Sequence, residues 1–265
     1  MDIFPVGEGD LSEISALRPE GWGDITPWFS YYLAHPFFSP FKAVEGGRIA
    51  GTGVVIFFGK SAWLAHIIVR PDLRGRGLGS AIVWYCLEVA AARGVLTVSL
   101  VATELGFPVY IKAGFRTVCE YTFFSRSEPA PFGGDPHIVP FDGRFRKELL
   151  ALDRNASGED RACVLEEHLN AASVYVDGGT LRGFYLPALG EGLVVADSAQ
   201  AGEALLRLRT REKNGAVIPS GNAFAASVLA SLGFAPSGKG TRMVIGESLE
   251  FRPEMLFGRT GGNMG

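Results

Sequence analysis

The sequence predicts an α/β (α+β) fold in which two similar domains follow one another, and three observations predict it. Strand-like and helix-like stretches alternate through the first half. A proline- and glycine-rich stretch interrupts the chain near its middle. Landmarks of the first half recur in the second, in the same order. With 265 residues the chain has material for two cores of ordinary size. Hydrophobic residues make up 47% and charged residues 20%, a globular rather than a disordered profile.

The elements of the first half are read from their spacing. Residues 41–45 and 48–58 flank Gly46-Gly47, a hairpin signal. The apolar run 63–69 suits a central strand buried on both faces. Residues 80–93 form a helix closed by Gly94, which can adopt the left-handed cap conformation. A strand over 95–101, a short helix over 109–113 and a strand over 115–125 follow. Residues 126–143, RSEPAPFGGDPHIVPFDG, carry four prolines and three glycines and read as a connection. The expected division is therefore a first domain over 1–126, a linker over 127–143 and a second domain over 144–265.

The duplication rests on two matches. Val44-Glu-Gly-Gly-Arg-Ile-Ala-Gly51 has a counterpart in Val176-Asp-Gly-Gly-Thr-Leu-Arg-Gly183. Thr103 to Phe115 lines up with Asn222 to Phe234, and both stretches end in Gly-Phe. Between these landmarks the second copy is shorter. It lacks the segment Val69-Arg-Pro-Asp-Leu-Arg-Gly-Arg-Gly-Leu-Gly-Ser80, which in the first copy runs from the buried strand into the helix.

That segment carries the chemistry. Gly77 and Gly79 permit a tight turn and close approach of backbone to a ligand. The first N–H groups of a helix have no partners within it, and the helix dipole favours an anion there. Arg74 and Arg76 add positive charge, so the physical reading is a pyrophosphate cradle, against a solvent-facing basic turn. A nucleoside-triphosphate loop would carry Gly-Lys-Ser/Thr, and this one has no lysine. A dinucleotide fold would place its first glycine directly after the strand, whereas residues 70–74 intervene here; Glu104 could imitate a ribose-binding acid and keeps that reading open.

With these residues in view, the sequence resembles the GNAT superfamily of N-acetyltransferases. The family's Arg/Gln-x-x-Gly-x-Gly/Ala is matched by Arg74-Gly-Arg-Gly-Leu-Gly79. Its later signature is matched by Thr103, Tyr110 and Gly114-Phe115, with Thr103 standing where Asn is usual. The resemblance covers residues 1 to about 125, and the second half resembles a degenerate copy, as in two-domain bacterial members. It implies tandem domains, each a mixed, largely antiparallel sheet flanked by helices. It further implies an acetyl-CoA-dependent N-acetyltransferase in which an amine attacks the thioester directly. By resemblance, Ile67, Ile68 and Val69 offer backbone groups to the pantetheine arm and thioester oxygen, and Gly75, Arg76, Gly77, Leu78, Gly79 and Ser80 hold the pyrophosphate.

Tyr110 is the choice for general acid, since a phenol is protonated at neutral pH; the alternative is a tyrosine anchoring its helix. Lys112 either contacts the cofactor or is a solvated surface lysine. His66, next to the expected thioester site, is either the general base or a buried histidine satisfied by hydrogen bonds. Residues 95–101 hold no carboxylate to serve as base. Trp22, Asp24, Trp28 and Tyr31 either border the acceptor cleft, where an aspartate with aromatics suits a cationic amine, or form a helical hairpin. Leu229 stands at the position matching Tyr110, so the second half either completes the acceptor pocket or builds a homodimer. A non-catalytic acyl-CoA-binding module is the alternative function.

Other classes are disfavoured. Twenty-five basic residues against 28 acidic ones give no footprint for nucleic acid or an anionic membrane. The opening MDIFPVGEGD lacks the layout of a signal peptide, and no apolar run approaches a membrane span. Cys86, Cys119 and Cys163 show neither disulfide nor metal-ligand spacing and read as core filler in a cytoplasmic protein. Ser157-Gly-Glu-Asp160 resembles a capping box opening a helix over 161–169, and Gly261 to Gly265 reads as a frayed tail.

Overall fold

A computed structural model describes residues 2–128 and 133–265, so Pro129, Ala130, Pro131 and Phe132 of the expected linker lie outside the described residues. The first half runs β1 (Asp2–Pro5), α1 (Leu11–Ser15), α2 (Thr26–Ala34), β2 (Phe38–Glu45), β3 (Arg48–Phe58), β4 (Ser61–Val69), α3 (Leu78–Ala92), β5 (Thr97–Ala102) and α4 (Phe107–Lys112). The chain continues with β6 (Arg116–Ser125), β7 (Ile138–Pro140), α5 (Arg146–Ser157), α6 (Ala162–Leu165), β8 (Ser173–Asp177), β9 (Thr180–Leu186) and β10 (Leu193–Ala196). The last elements are α7 (Ala199–Arg209), β11 (Gly215–Pro219), α8 (Ala223–Ser231), β12 (Ala235–Gly246) and β13 (Leu256–Gly258). Among the described residues no helix is long and apolar enough to cross a membrane.

The chain forms two compact units. The first comprises Met1–Arg116, Met243–Glu247 and Gly262–Met264; the second comprises Thr117–Arg242, Ser248–Gly261 and Gly265. The sequence division placed 117–126 with the first domain, but β6 pairs with β11 within the second unit. Residues 243–246 of β12 instead take the place beside β5. Pairing, and not position along the chain, decides where a strand belongs.

In the first unit β1, β2, β3 and β4 pair antiparallel in that order, and β4 pairs parallel with β5. β3 is buried from Ile49 to Phe58, which is why its sequence is apolar without alternation. Helix α3 lies on this strand with Ile82, Val83 and Cys86 in the core alongside Val55, Leu64 and Leu100. The approach is close because β3 has glycines there. A Cβ on Gly53 would stand 2.7 Å from Ile82 Cγ2, and one on Gly51 would stand 2.5 Å from the Ile68 carbonyl oxygen.

In the second unit β7, β8, β9 and β10 form an antiparallel sheet with β13 along the outer edge of β10. Its interior holds ion pairs: Arg161 makes two bonds to Asp153, at 3.1 and 2.6 Å, and Arg242 lies 3.8 Å from Glu159. The capping-box reading fails here. Ser157 is the last residue of α5, closed by Gly158 at φ 73°, and its hydroxyl accepts from the Glu159 amide at 3.1 Å. Glu159 is turned inward to Arg242, and α6 opens without a side-chain cap. The tail reading also fails: Met264 is buried in the first unit.

Close packing of α3 on β3 yields a first prediction. Gly53→Val should destabilise the protein by about 1–3 kcal/mol through overpacking, seen as a lower urea midpoint. Gly9→Ala, which meets nothing within 4 Å, serves as control and should leave the midpoint in place.

Candidate active site

The site is built on a bend in β4. This strand pairs with β5 only from Ser61 to Trp63, opposite Thr97 to Ser99. Against β3 its register slips, with Ala65 opposite Val54 and Ile68 opposite Thr52. His66 and Ile67 therefore face the single residue Gly53, a β-bulge, which bends and twists a strand. His66 has φ 47°, the one positive value at a non-glycine among the described residues. The buried Thr52 hydroxyl donates to the His66 carbonyl at 2.9 Å and holds the bulge. Past Trp63 the β5-facing edge of β4 has no strand partner among the described residues, so the stretch that holds Ile67, Ile68 and Val69 borders a wedge.

The Gly-rich loop lies at the end of that wedge. Gly75 has φ 75° and Gly77 has φ 86°, values at which a Cβ is strained. Gly77 is the N-cap of α3 and has no side chain, so the first-turn N–H groups of Leu78, Gly79 and Ser80 are uncapped. Arg74 Nε donates to the Val69 carbonyl at 3.2 Å, tying the loop to the strand end. Arg76 is exposed and pairs with Glu45 at 2.7 Å. An uncapped helix start with positive side chains beside it is a place for a phosphate.

The later motif packs into the same core as Ile67 and Val69. Tyr110 is buried on α4 against Phe115, at 5.8 Å between ring centres, and a Cβ on Gly106 would press on its ring at 2.9 Å. Its hydroxyl bonds to no described residue. Burial, then the neighbouring Cys86, pushes its pKa up, so it keeps its proton at neutral pH. Thr103 Oγ1 accepts from the Gly106 amide at 3.3 Å and so serves the turn that opens α4. Lys112 is exposed in the last turn of α4.

The acceptor-side residues divide. Trp22 meets the His66 ring edge-on at 6.1 Å, and Phe29 does so at 5.4 Å. Trp28 stacks on Tyr32 at 6.3 Å. Tyr31 turns away to His35 and Phe38, at 4.5 and 5.2 Å. Asp24 is exposed, and Oδ1 accepts from the Thr26 amide at 2.9 Å, so it fixes the start of α2; that bond lowers its pKa. Three residues escaped the sequence reading. Tyr32 Oη lies 3.1 Å from His66 Nδ1, Asn263 Nδ2 donates to Tyr32 Oη at 2.9 Å, and Thr52 holds the bulge. Nothing in the sequence marks them, since each acts through a contact distant along the chain. Burial brings His66 down to about 4, so its ring is neutral at pH 7.

The second unit has the same scaffold without these openings. Strand β13 lies along the edge of β10 that corresponds to the open edge of β4, with Val194 opposite Gly258. The Phe257 ring rests on α7 where Gly202 leaves room for it. Ser198 caps α7 through Ala201 N at 3.3 Å, and Asn222 caps α8 through Ala225 N at 2.9 Å.

Residues 10–115 match the model of the acetyltransferase (GNAT) family, and residues 149–258 match that of an acetyltransferase (GNAT) domain. An uncharacterized N-acetyltransferase of Bacillus subtilis, YitH, is 26% identical over 74% of this chain and 74% of its own length. The thialysine N-epsilon-acetyltransferase of Bos taurus is 33% identical over 30% of this chain and 48% of its own. The crystal structure of a putative acetyltransferase from Pyrococcus horikoshii superimposes with a TM-score of 0.84 at 22% identity, over 100% of this chain and 95% of that one, which shows the fold.

The setting of His66 yields a second prediction. Its folded pKa of about 4 lies below the ordinary 6.5, so between these values the unfolded chain binds the proton and the folded one does not. The contribution is whole above pH 6.5 and is lost as the pH falls through 4. A nuclear magnetic resonance titration of the ring should show a midpoint near 4; one at 6 or above would contradict the burial argument.

Proposed function

The chain belongs to the GNAT acetyltransferase family, and on that premise we propose that the first unit transfers the acetyl group of acetyl-CoA to a primary amine of a small molecule or peptide. The observation that carries this reading is the wedge between β4 and β5, ending at an uncapped, glycine-lined helix start. Gly75 and Gly77 at positive φ fit a pyrophosphate whose approach a Cβ would obstruct. That a bovine relative is named for acetylating thialysine supports an amine acceptor.

Acetyl-CoA supplies its acetyl group as a thioester, whose C–S bond breaks as the amine forms a C–N bond in the ternary complex. The chain's residues do the rest. Backbone N–H groups from Gly75 to Ser80 hold the pyrophosphate, with Arg74 and Arg76 adding charge. The open edge at Ile67, Ile68 and Val69 holds the arm and offers N–H groups to the carbonyl oxygen as negative charge develops there. Holding both reactants together removes much of the entropic barrier. Tyr110 gives its proton to the departing sulfur, and the proton shed by the acylated nitrogen passes to solvent, from which the Tyr110 phenolate is reprotonated. His66, at the bend, stands on the acceptor side. The second unit binds no cofactor and acts as scaffold, because its corresponding edge carries β13 and the starts of α7 and α8 are capped.

Thiol release from acetyl-CoA against a panel of amines tests the acid. Tyr110→Phe should lower kcat tenfold or more, a general acid contributing roughly a hundredfold to ten-thousandfold, and leave acetyl-CoA affinity within about twofold; an unchanged kcat removes Tyr110 from that role. Calorimetry tests the cradle. The protein should bind about one acetyl-CoA per chain, and Gly77→Ala should weaken binding about tenfold, because the free loop relaxes from the left-handed φ and must return to it, at roughly 1–2 kcal/mol, when the ligand binds. Two cofactors per chain would contradict the closed edge of the second unit.

A further inference from the structure

A chain of three polar groups ends on the histidine at the bend. Asn263 Nδ2 donates to Tyr32 Oη at 2.9 Å, and Tyr32 Oη lies 3.1 Å from His66 Nδ1. Met264 is buried beside Asn263 in sequence, and Gly265 N bonds to the Gly261 carbonyl at 3.0 Å, closing a turn whose middle residue is Asn263. The amide is thus presented by an ordered segment and not by a loose end.

The directions of these bonds follow from what each atom can do. An amide NH2 only donates, so Tyr32 Oη receives from Asn263 with a lone pair. Its single hydrogen then has His66 Nδ1 as its acceptor. A neutral imidazole that accepts at Nδ1 carries its proton on Nε2. Protonating Nδ1 would set two donors face to face, and turning the Tyr32 hydroxyl away would drive its hydrogen against the Asn263 amide. The surroundings offer the ring no counter-charge: its neighbours are Trp22, Phe29 and Tyr32, and no described carboxylate bonds to it. Nε2 makes no bond within the described chain, and the residue is only partly buried, so that nitrogen is available to a ligand.

We infer that Asn263, acting through Tyr32, is a positioning residue that holds His66 as the neutral tautomer with its proton on Nε2. His66 therefore meets the acceptor substrate as a hydrogen-bond donor and not as a base. The tautomer stands on the geometry alone; the role toward an acceptor rests on the acetyl-transfer reading. This replaces the general-base reading of His66, which needs a free lone pair on Nε2. It also gives residues 262–264 a part in the site.

The test reads the ring directly. The full chain is labelled with 15N-histidine, and long-range proton–nitrogen spectra are recorded at pH 7, with the His66 signals identified by their loss in His66→Gln. In the wild type, Nδ1 should show the unprotonated, pyridine-type shift and Nε2 the protonated, pyrrole-type shift. Asn263→Asp presents only acceptor oxygens, so the Tyr32 hydroxyl should turn toward the carboxylate and accept from His66, and the two nitrogen shifts should exchange. Tyr32→Phe removes the partner of Nδ1, and the preference for one tautomer should fall toward a mixture. A wild-type ring protonated on Nδ1, or the same pattern in wild type and in a folded Asn263→Asp, would overturn the inference. Should Asn263→Asp not fold, the wild type and Tyr32→Phe decide the matter. Stabilisation by acetyl-CoA is measured on each sample: its absence in the wild type would overturn the acetyl-transfer reading, independently of the ring spectra.

Discussion

The first unit depends on one strained residue. His66 stands at φ 47° in the middle of a β-strand, a conformation costing on the order of 1–3 kcal/mol that persists only where the surroundings fix it. Its consequence is mechanical. Two residues of β4 face one of β3, β4 bends, and it parts from β5 after Trp63. A continuous parallel pair would have satisfied the backbone edge that the proposed reading gives to the cofactor. Remove the bulge and the wedge closes; on the proposed reading the Gly-rich loop would then face a pyrophosphate with nowhere for the rest of the molecule to lie.

The two units show how little separates a site from a scaffold. Both have a helix starting after the third strand of a meander, yet α3 starts at Gly77 without a cap while α7 starts at Ser198 with one. An N-cap side chain satisfies the same N–H groups that an anion would take, so the serine and the ligand are alternatives. The open edge behaves likewise. In the second unit it carries β13, with Phe257 seated on Gly202. On the proposed reading, loss of binding needs no change of fold, only satisfaction of the exposed groups from within the chain.

What the sequence made legible were features carried by neighbouring residues. Gly75, Gly77 and Gly79 with Arg74 lie within one short loop, so their pattern survives reading in one dimension, and the repeated Gly-Gly hairpins fix the duplication. The buried strand 63–69 was visible as an apolar run, but the bulge inside it was not: a slip of register is a relation between β4 and β3, and Gly53 and Thr52 lie on the other strand. Asp24 and Tyr31 are candidates in the sequence by residue type and by their place in the N-terminal segment that the resemblance sets beside the acceptor cleft. The capping geometry at Thr26 and the aromatic cluster at His35 and Phe38 claim them instead, while their neighbour Tyr32 reaches the site. The exchange of 117–125 and 243–247 between units was illegible for the same reason, since strand partners are chosen in space.

A residue in a strained conformation must be held on more than one side. The carbonyl of His66 is held by Thr52 and its ring by Tyr32, with Asn263 behind it. Phe29 and Trp22 close on the ring edges and keep it out of bulk water, which is what depresses its titration. A cationic imidazole here would lose hydration without gaining a counter-ion, so such a pocket favours the neutral ring. Proton removal from the acceptor is then not a demand the fold has been shaped to meet at His66. On the reading inferred above, what it meets at that position is orientation: a fixed ring, the Nε2-protonated tautomer and an Nε2 that bonds to no described residue, at the bend where β4 turns away from β5.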